Sequence, residues 1–409
     1  MNCRHCGALL QLPFLDLGSA PPSNAYLNKD SLHAPELWFP LRVMVCEQCW
    51  LVQTEDFSRA DTLFAADYAY FSSFSDTWLK HARLYVQSMI DRFALGPHSK
   101  VVEIAANDGY LLQYVQEAGI PCLGIEPTAG TARAAREKGL LIIEKFFGEQ
   151  LAQTLVAEDH AADLITANNV LAHVPDINNF VKGFATLLNP QGVATFEFPH
   201  ILRLVQENQF DTVYHEHYSY LSFFTVENIL SSQGLQIFDV EHLPTHGGSL
   251  RVYAQRTDQG RHERTERVGN LLKTEKTAGI TRMVFYTDLQ TRAEQVKNDL
   301  LGFLLDAKHR GLSVAAYGAA AKGNTLLNFA GVRPDLLSYV ADRNPAKQGK
   351  FMPGSRIPIV DETYLQRSQP DRVLILPWNL RDEVMNQLDY IRQWGGRFVT
   401  AIPQLRIIP

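Results

Sequence analysis

The densest group of chemically reactive side chains lies between Val213 and Leu221, where the sequence reads Val-Tyr-His-Glu-His-Tyr-Ser-Tyr-Leu. A histidine near neutral pH can both take and return a proton, and an adjoining glutamate can fix its tautomer. A metal site is disfavoured, because His215 and His217 lack the i, i+4 spacing that places two ligands on one helix face. The segment therefore predicts acid–base catalysis, and the alternative is an inert hydrogen-bonded knot in the core.

A second reactive group consists of cysteines, four of which form the two C-x-x-C pairs Cys3/Cys6 and Cys46/Cys49. Each pair can fold as a knuckle that presents two thiolates on one side, and two knuckles complete a tetrahedral shell for zinc. Because four protein ligands leave no open position, we expect a structural metal rather than a catalytic one. His5 stands between two of the ligands, and we expect it to be a surface bystander.

After Ser99 the sequence alternates between strands and helices, and polar residues such as Glu126 stand at the ends of these strands. A buried strand over 101–105 is followed by a turn over 106–109, a helix, and a second strand over 122–126. These elements predict a βαβ unit. Glu126 closes the second strand, at the distance from the first turn where an acidic residue binds a ribose diol. The pattern indicates a nucleoside-binding sheet.

The first turn of this sheet departs from the dinucleotide fingerprint. Ala105 and Asn107 occupy positions where glycines would admit a pyrophosphate, which argues against NAD. Gly109 lets the chain approach a ligand, and the polar residues Glu103, Asn107 and Asp108 suit a cofactor that carries an ammonium and a sulfonium instead. Asn168 ends a later strand at the carboxyl edge, where open α/β sheets bind ligands. The order is similar to a class I methyltransferase that uses S-adenosylmethionine, and the alternative is a degenerate scaffold without a cofactor.

Three further segments could face a ligand. Residues 67–78 form an aromatic and hydroxyl cluster, which suits either a packing seam between domains or a cation pocket. Thr245–Arg251 is a flexible turn that could wrap an anionic or hydroxylated substrate. A second α/β unit begins at 312–317 and turns through 318–324, where helix amides and Lys322 could face phosphate.

Composition and length set the limits of the function. The 409 residues are 46% apolar and 20% charged, which is typical of a folded chain of two or three domains. Lysine and arginine total 38 against 44 acidic residues, so the net charge of −6 gives no broad field for a nucleic-acid backbone. No apolar run is long enough for a membrane span, and the start lacks a signal peptide. We expect a cytoplasmic monomer that binds neither nucleic acid nor a membrane.

The motifs, taken in order, resemble the zinc-containing sugar C-methyltransferases of deoxysugar pathways. They are the two C-x-x-C pairs, Glu-Ile-Ala-Ala-Asn-Asp-Gly, Tyr-His-Glu-His-Tyr-Ser-Tyr, Thr-His-Gly-Gly-Ser-Leu-Arg and Gly-Ala-Ala-Ala-Lys-Gly-Asn, and they span nearly the whole chain. The resemblance implies that a methyl group passes from S-adenosylmethionine to C-3 of a nucleotide-linked 4-keto-6-deoxysugar. The nucleotide, the group at C-3 and the stereochemistry do not transfer from the resemblance.

The expected fold class is α/β with three parts. A zinc-binding domain over 1–75 precedes a class I methyltransferase Rossmann-like domain over 76–257. A second Rossmann-like α/β domain over 258–409 follows and contributes to substrate binding, so that the sugar lies between the two sheets. The alternatives are an O- or N-methyltransferase acting on another small metabolite, and a non-catalytic zinc-domain binding protein with a degenerate methyltransferase core.

The resemblance also implies the roles of individual residues. His217 would be the base that removes the C-3 proton. The residues expected around it in the same pocket are Glu216, Tyr214, Tyr68 and His173. Together with the turn analysis, the expected cofactor contacts are Tyr70, Glu103, Asn107, Gly109, Glu126, Phe147 and Asn168. The expected substrate contacts are His246, Lys322 and Asn324, and the expected zinc ligands are Cys3, Cys6, Cys46 and Cys49.

Overall fold

The computed structural model describes residues 1–57 and 71–409. Tyr68 and Tyr70, two of the expected site residues, lie outside the described residues. The N-terminal part forms the antiparallel strands β1 (Leu12–Ala20), β2 (Phe39–Val45) and β3 (Val52–Thr54). Alternate residues of β2 point into the core, since Leu41, Val43 and Val45 are fully buried.

The middle part alternates strands and helices as the sequence predicts. Its elements are α1 (Asp76–Phe93), β4 (Val101–Ile104), α2 (Leu112–Glu117), β5 (Cys122–Ile125), α3 (Ala129–Glu137), β6 (Ile142–Ile143), α4 (Glu149–Ala157), β7 (Ala162–Asn168), α5 (Ile177–Leu187), β8 (Leu188–Pro199), α6 (Ile201–Gln206), β9 (Ser219–Tyr220), α7 (Phe223–Ser232), β10 (Leu235–Leu243) and β11 (Ser249–Arg256). The central strands are continuous apolar runs because helices cover both faces of a parallel sheet.

Seven of these strands form one sheet in the order β10-β11-β8-β7-β4-β5-β6. Strands β4 to β8 are parallel, and β11 runs antiparallel to both of its neighbours. The strand order reverses direction at β4, which has β5 on one side and β7 on the other. A crevice opens at the carboxyl ends of the strands at such a reversal, and ligands of open α/β sheets bind there.

The C-terminal part builds a second sheet of the same kind. Its elements are α8 (Glu266–Ala278), α9 (Leu289–His309), β12 (Val314–Tyr317), α10 (Ala321–Ala330), β13 (Val340–Ala341), β14 (Ile359–Val360), α11 (Thr363–Ser368), β15 (Arg372–Ile375), α12 (Arg381–Gln387), β16 (Arg397–Thr400) and β17 (Arg406–Ile408). The strand order is β14-β13-β12-β15-β16-β17, and it is parallel except for β17. The expected second Rossmann-like unit is confirmed by this order.

Contacts across the three sheets fix the parts against one another. Strand β9 of the middle part pairs antiparallel with β3 and becomes the fourth strand of the N-terminal sheet. One apolar core contains Phe14 and Leu41 of the N-terminal sheet together with Leu300 of α9 and Leu326 of α10. The boundaries at residues 75 and 257 remain predictions. No helix in the described part of the chain is both long and apolar enough to cross a membrane.

Candidate active site

The four paired cysteines converge on one point. Their sulfur atoms all lie within 4.8 Å of one another, with Cys3 Sγ 3.5 Å from Cys49 Sγ and Cys6 Sγ 3.5 Å from Cys46 Sγ. A tetrahedral zinc with Zn–S bonds of about 2.3 Å separates its sulfurs by about 3.8 Å, so the arrangement fits that metal. Gln53 Nε2 lies 3.3 Å from Cys3 Sγ and can donate to the thiolate. Four sulfurs leave no ligand position for a substrate.

The two knuckles use the same backbone turn. In the first, the Gly7 amide donates to the Cys3 carbonyl, and in the second the Trp50 amide donates to the Cys46 carbonyl. Gly7 and Trp50 both have positive φ, 76° and 62°. As expected, His5 is not among the residues that could hold the metal, but it is half-buried rather than free on the surface. Its Nδ1 lies 2.9 Å from Asn178 Oδ1, and Asn178 Nδ2 donates to the His5 carbonyl over 2.8 Å.

The turn after β4 is tight, because three of its residues adopt the left-handed backbone conformation. Ala105, Asn107 and Gly109 all have positive φ, of 56°, 49° and 76°. At Gly109 a Cβ would lie 2.2 Å from Leu140, so the glycine is needed for packing as well as for its backbone angle. Glu126 holds the turn, because its carboxylate accepts from the Asn107 amide over 2.9 Å. It also accepts from the Thr128 amide over 2.9 Å.

Asn168 Nδ2, a buried polar atom at the same edge, has no hydrogen-bond partner among the described residues. The buried Glu103 carboxylate interacts with the Tyr110 hydroxyl and the Leu112 amide but makes no hydrogen bond of normal geometry. Burial raises the pKa of Glu103 well above its usual range, and the nearby Tyr110 hydroxyl only partly offsets that shift. Buried polar atoms are costly unless a ligand completes them. The edge therefore fits a cofactor with an ammonium group and hydroxyls, such as S-adenosylmethionine.

Phe147 packs against the apolar core to which α5 contributes. Its ring packs edge-on against Phe180 and Phe184 of α5, with ring centres 5.8 Å and 5.4 Å away. These contacts assign Phe147 to the apolar packing over α5. Its contact with a sulfonium stays a prediction.

Both ring nitrogens of His217 make hydrogen bonds. Nδ1 lies 3.1 Å from the Thr212 carbonyl, which can only accept, so this nitrogen carries the proton. Nε2 is therefore the unprotonated nitrogen, and it lies 2.8 Å from the Tyr214 hydroxyl. Burial lowers the pKa of His217 well below its usual range, and the nearby charges of His173, His246 and Lys322 lower it further. The imidazole is neutral at pH 7, which is the form a base needs.

Glu216 does not orient His217, contrary to the expectation from the sequence. Its carboxylate is buried and accepts from Asn24 Nδ2 over 3.2 Å, and the Thr212 carbonyl fixes the His217 tautomer instead. Residues 215 and 216 form a turn that is closed by the His217 amide donating to the Tyr214 carbonyl over 3.0 Å, and no hydrogen bond joins the Glu216 and His217 side chains. Burial raises the pKa of the Glu216 carboxyl.

His173 joins the loop after β7 to the histidine and tyrosine segment over 213–221. Its Nδ1 donates to the Glu216 carbonyl over 2.8 Å, and its ring centre lies 4.6 Å from that of His217. Burial lowers the pKa of His173 to about 4. The structure therefore brings His173, Tyr214 and His217 together, as the sequence predicts for one pocket.

Lys322 and His246 approach the same region from other elements. Lys322 Nζ donates to Asn379 Oδ1 over 2.7 Å and lies 4.5 Å from the Trp378 ring centre. Burial lowers the pKa of Lys322 to about 8, and the charge of Asp211 partly offsets this shift. His246 Nε2 lies 3.2 Å from Asn169 Nδ2, directly after β7.

Two expectations about substrate contacts change. Asn324 is fully buried and its Nδ2 donates to the Ser23 carbonyl over 2.6 Å, so it ties α10 to the N-terminal segment. Its Oδ1 has no partner among the residues described. The turn before α10 is already occupied by a carboxylate, because Asp342 accepts from the Ala319 amide over 2.7 Å. A phosphate therefore cannot use that amide without displacing Asp342.

Arg251 is not available to wrap a substrate. Its guanidinium donates over 2.7 Å to Glu197, which is fully buried. Glu197 also accepts from Thr245 Oγ1 over 3.0 Å and lies 2.9 Å from His81 Nε2. Burial would raise the pKa of Glu197, but the His81 contact and the Arg251 charge outweigh it and lower that pKa. Sequence reasoning missed this cluster, because its members lie on three distant elements.

Other missed residues lie beside the 213–221 segment. Asp211 is fully buried and its Oδ2 accepts from Trp378 Nε1 over 2.8 Å. Burial raises the pKa of Asp211 to about 7. The only signal for Asp211 was its position just before the histidine and tyrosine cluster, and no signal marked Asn24.

Comparisons with known proteins agree on the three-part organisation. Successive family models match residues 3–64 ("Putative zinc binding domain"), 78–240 ("Methyltransferase domain") and 244–403 ("C-methyltransferase C-terminal domain"). The chain is 32% identical over 407 residues to C-methyltransferase NovU of Streptomyces niveus, which covers 100% of this chain and 96% of NovU. It is 33% identical over 107 residues to ubiquinone biosynthesis O-methyltransferase of Histophilus somni strain 2336, covering 24% of this chain and 43% of that protein.

Solved structures match the chain over a smaller share. PH0226 protein from Pyrococcus horikoshii OT3 matches with a TM-score of 0.39 and 14% identity, over 49% of this chain and 100% of that one. Magnesium protoporphyrin IX methyltransferase of Synechocystis PCC 6803 matches with a TM-score of 0.33 and 15% identity, over 44% of this chain and 82% of that one. The full-length similarity to NovU and the ordered family models show that the chain belongs to the zinc-containing, S-adenosylmethionine-dependent C-methyltransferases.

Proposed function

We propose that the enzyme methylates C-3 of a nucleotide-linked 4-keto-6-deoxysugar after His217 removes the C-3 proton. The observation that carries the proposal is the hydrogen bonding of His217, whose Nδ1 donates to the Thr212 carbonyl. This contact leaves the basic electron pair on Nε2, beside the Tyr214 hydroxyl. Carbon methylation requires such a base, because C-3 carries no free electron pair until its proton is removed.

The chemistry of carbon methylation sets what these residues must do. A hydrogen beside a ketone becomes acidic because the enolate spreads its charge onto oxygen, so the site needs a base and a donor to that oxygen. His217 Nε2 accepts the proton. In the free enzyme the Tyr214 hydroxyl donates its one proton to Nε2. It would become a donor to the charged oxygen only when the bound substrate replaces this hydrogen bond and Nε2 takes the C-3 proton. Bound S-adenosylmethionine supplies an electrophilic methyl group on a sulfonium.

The neutral state of His217 makes the base ready over a wide pH range. The basic form is present at any pH above the pKa, and burial places that pKa well below the usual range. Activity therefore does not fall through His217 protonation between pH 8 and pH 7. A protonated His173 nearby would oppose a second positive charge, and burial keeps His173 neutral too.

Product analysis tests the proposed reaction. Nucleoside-diphosphate 4-keto-6-deoxyhexoses with different bases, and with either a hydroxyl or an amine at C-3, are incubated with S-adenosylmethionine labelled with ¹³C in the methyl group. We expect one of them to give a product whose labelled carbon is bonded to C-3 in the NMR spectrum. A label on oxygen or nitrogen would instead establish the alternative reaction.

Glu126 is proposed to hold the ribose of the cofactor, and its charge can be removed with little change of shape. For Glu126→Gln we expect the dissociation constant of S-adenosylmethionine to rise about 10- to 100-fold, because hydrogen bonds to a charged acceptor are lost. Titration calorimetry measures this constant. The control is Glu117→Gln at the exposed end of α2, which should bind normally. An unchanged constant for Glu126→Gln would remove that residue from the cofactor site.

Lys322 is proposed to attract the diphosphate of the substrate. Lysine is positively charged below its pKa, so with a pKa of about 8 the charge is lost as the pH rises from 7 to 9. We expect KM for the sugar nucleotide to rise about tenfold over this interval. In Lys322→Arg the charge persists, and KM should stay level with pH. A level KM in the unaltered enzyme would contradict this role.

A further inference from the structure

Arg4, the residue after the first zinc ligand Cys3, connects the zinc domain to the rest of the protein. The Arg4 side chain is only 5% exposed, and its guanidinium donates to the Thr54 carbonyl over 2.9 Å. Arg4 Nε donates to the Tyr218 carbonyl over 3.2 Å, and the guanidinium also covers the Tyr218 ring. Arg4 therefore binds the backbone of Tyr218, the residue directly after His217.

The same guanidinium contacts the other catalytic loop. Arg4 Nη1 donates to the Pro175 carbonyl over 3.4 Å, two residues after His173. Next to Arg4, His5 pairs with Asn178 in the first turn of α5, through two hydrogen bonds of 2.9 Å and 2.8 Å. Of the two residues between the ligands Cys3 and Cys6, Arg4 therefore binds the loop that carries His173, and His5 binds the helix that follows this loop.

The two loops also contact one another where the knuckle holds them. The Tyr218 amide donates to the Ala172 carbonyl over 2.8 Å, and His173 Nδ1 donates to the Glu216 carbonyl. From the N-terminal sheet, Thr54 Oγ1 donates to the His217 carbonyl over 3.0 Å. His173 and His217 are thus neighbours on two loops whose spacing depends on contacts with the zinc domain.

We propose that the first zinc knuckle clamps the active site and that Arg4 is its positioning residue. Zinc bound by Cys3 and Cys6 fixes the backbone of Arg4, and the guanidinium fork then sets the distance between the loops of His217 and His173. This inference rests on the proposed function, in which His217 is the base. A guanidinium holds five donors apart in fixed directions and so can bind carbonyls on two separate loops, whereas the three donors of a lysine all radiate from one nitrogen atom.

Arg4→Lys tests the clamp because it keeps the charge and the stem but removes the fork. We expect backbone amides in residues 213–220 to exchange with deuterated water at least about tenfold faster, while amides of β4 and β5 are unchanged. We expect kcat for methyl transfer to fall about 10- to 100-fold through misplacement of the base, with KM for S-adenosylmethionine unchanged. Zinc content, measured by atomic absorption, should stay the same.

The matched control is Arg42→Ala, which removes an exposed arginine of the same sheet that pairs with Glu55. It should alter neither amide exchange nor kcat. If Arg4→Lys loses zinc, amide exchange is measured in Thr54→Val instead. This variant removes the hydrogen bond from the N-terminal sheet to the His217 carbonyl and does not alter a zinc ligand. Faster exchange over 213–220 in that variant supports the clamp, and unchanged exchange overturns it.

Amide exchange needs no substrate, so the clamp and the proposed function can fail separately. Unchanged exchange in Arg4→Lys with zinc retained would overturn the clamp while leaving His217 as the base. Faster exchange in Arg4→Lys, combined with full activity of a His217 variant, would support the clamp and reject the base.

Discussion

Replacing His217 by asparagine is expected to lower kcat about 10²- to 10⁴-fold, which is the usual contribution of a general base. Asparagine can still donate to the Thr212 carbonyl, but it has no basic nitrogen to place beside Tyr214. The dissociation constant of S-adenosylmethionine should not change, because His217 lies on a separate segment from the turn after β4. Initial rates and titration calorimetry measure the two quantities.

His215→Asn is the matched control for this substitution. His215 is a buried histidine two residues away, and its Nε2 donates to the Phe39 and Pro40 carbonyls, 3.3 Å and 3.2 Å distant. Its loss should weaken the contact with the N-terminal sheet and leave kcat nearly unchanged. Equal losses of kcat in both variants would mean that the segment needs its histidines for folding rather than for proton transfer.

Replacing Cys49 by serine is expected to release the zinc and to lower the melting temperature on the order of 10 °C. Binding of a structural zinc contributes directly to folding, and in a domain of 150–250 residues about 1 kcal/mol moves the midpoint about 2–4 °C. The knuckle of Cys46 and Cys49 joins β2 to β3, so its opening loosens the sheet to which β9 belongs. Atomic absorption and differential scanning calorimetry make the measurements.

Cys122→Ser serves as the control for the loss of a thiol. Cys122 is half-buried at the start of β5 and is not part of the sulfur cluster. This variant should keep its zinc and melt close to the unaltered enzyme. Retention of zinc and of the melting temperature in Cys49→Ser would contradict the four-sulfur site.

The parts of the fold that the sequence predicts depend on local patterns. The C-x-x-C spacing determines the knuckles whatever the rest of the chain does, and the four sulfurs meet as expected. Strands such as β4 and β7 are predictable because burial on both faces demands a continuous apolar run. The predicted ends of these strands agree with the structure to within two residues.

The unpredicted parts depend on contacts between distant residues. A backbone acceptor such as the Thr212 carbonyl leaves no mark in the sequence, so the residue that orients His217 could not be identified. Glu216 pairs with Asn24, 192 positions away, although its neighbour His217 was the expected partner. Arg251 looked like a ligand contact because nothing in the sequence links it to Glu197.

The most direct test of the central claim follows the C-3 hydrogen itself. The enzyme is incubated in deuterated water with S-adenosylhomocysteine and the accepted sugar nucleotide, and proton NMR records the C-3 signal against the anomeric signal. The account predicts that the C-3 signal disappears with the unaltered enzyme and persists with His217→Asn. A C-3 signal that persists with the unaltered enzyme, or that disappears equally with His217→Asn, would contradict proton removal by His217.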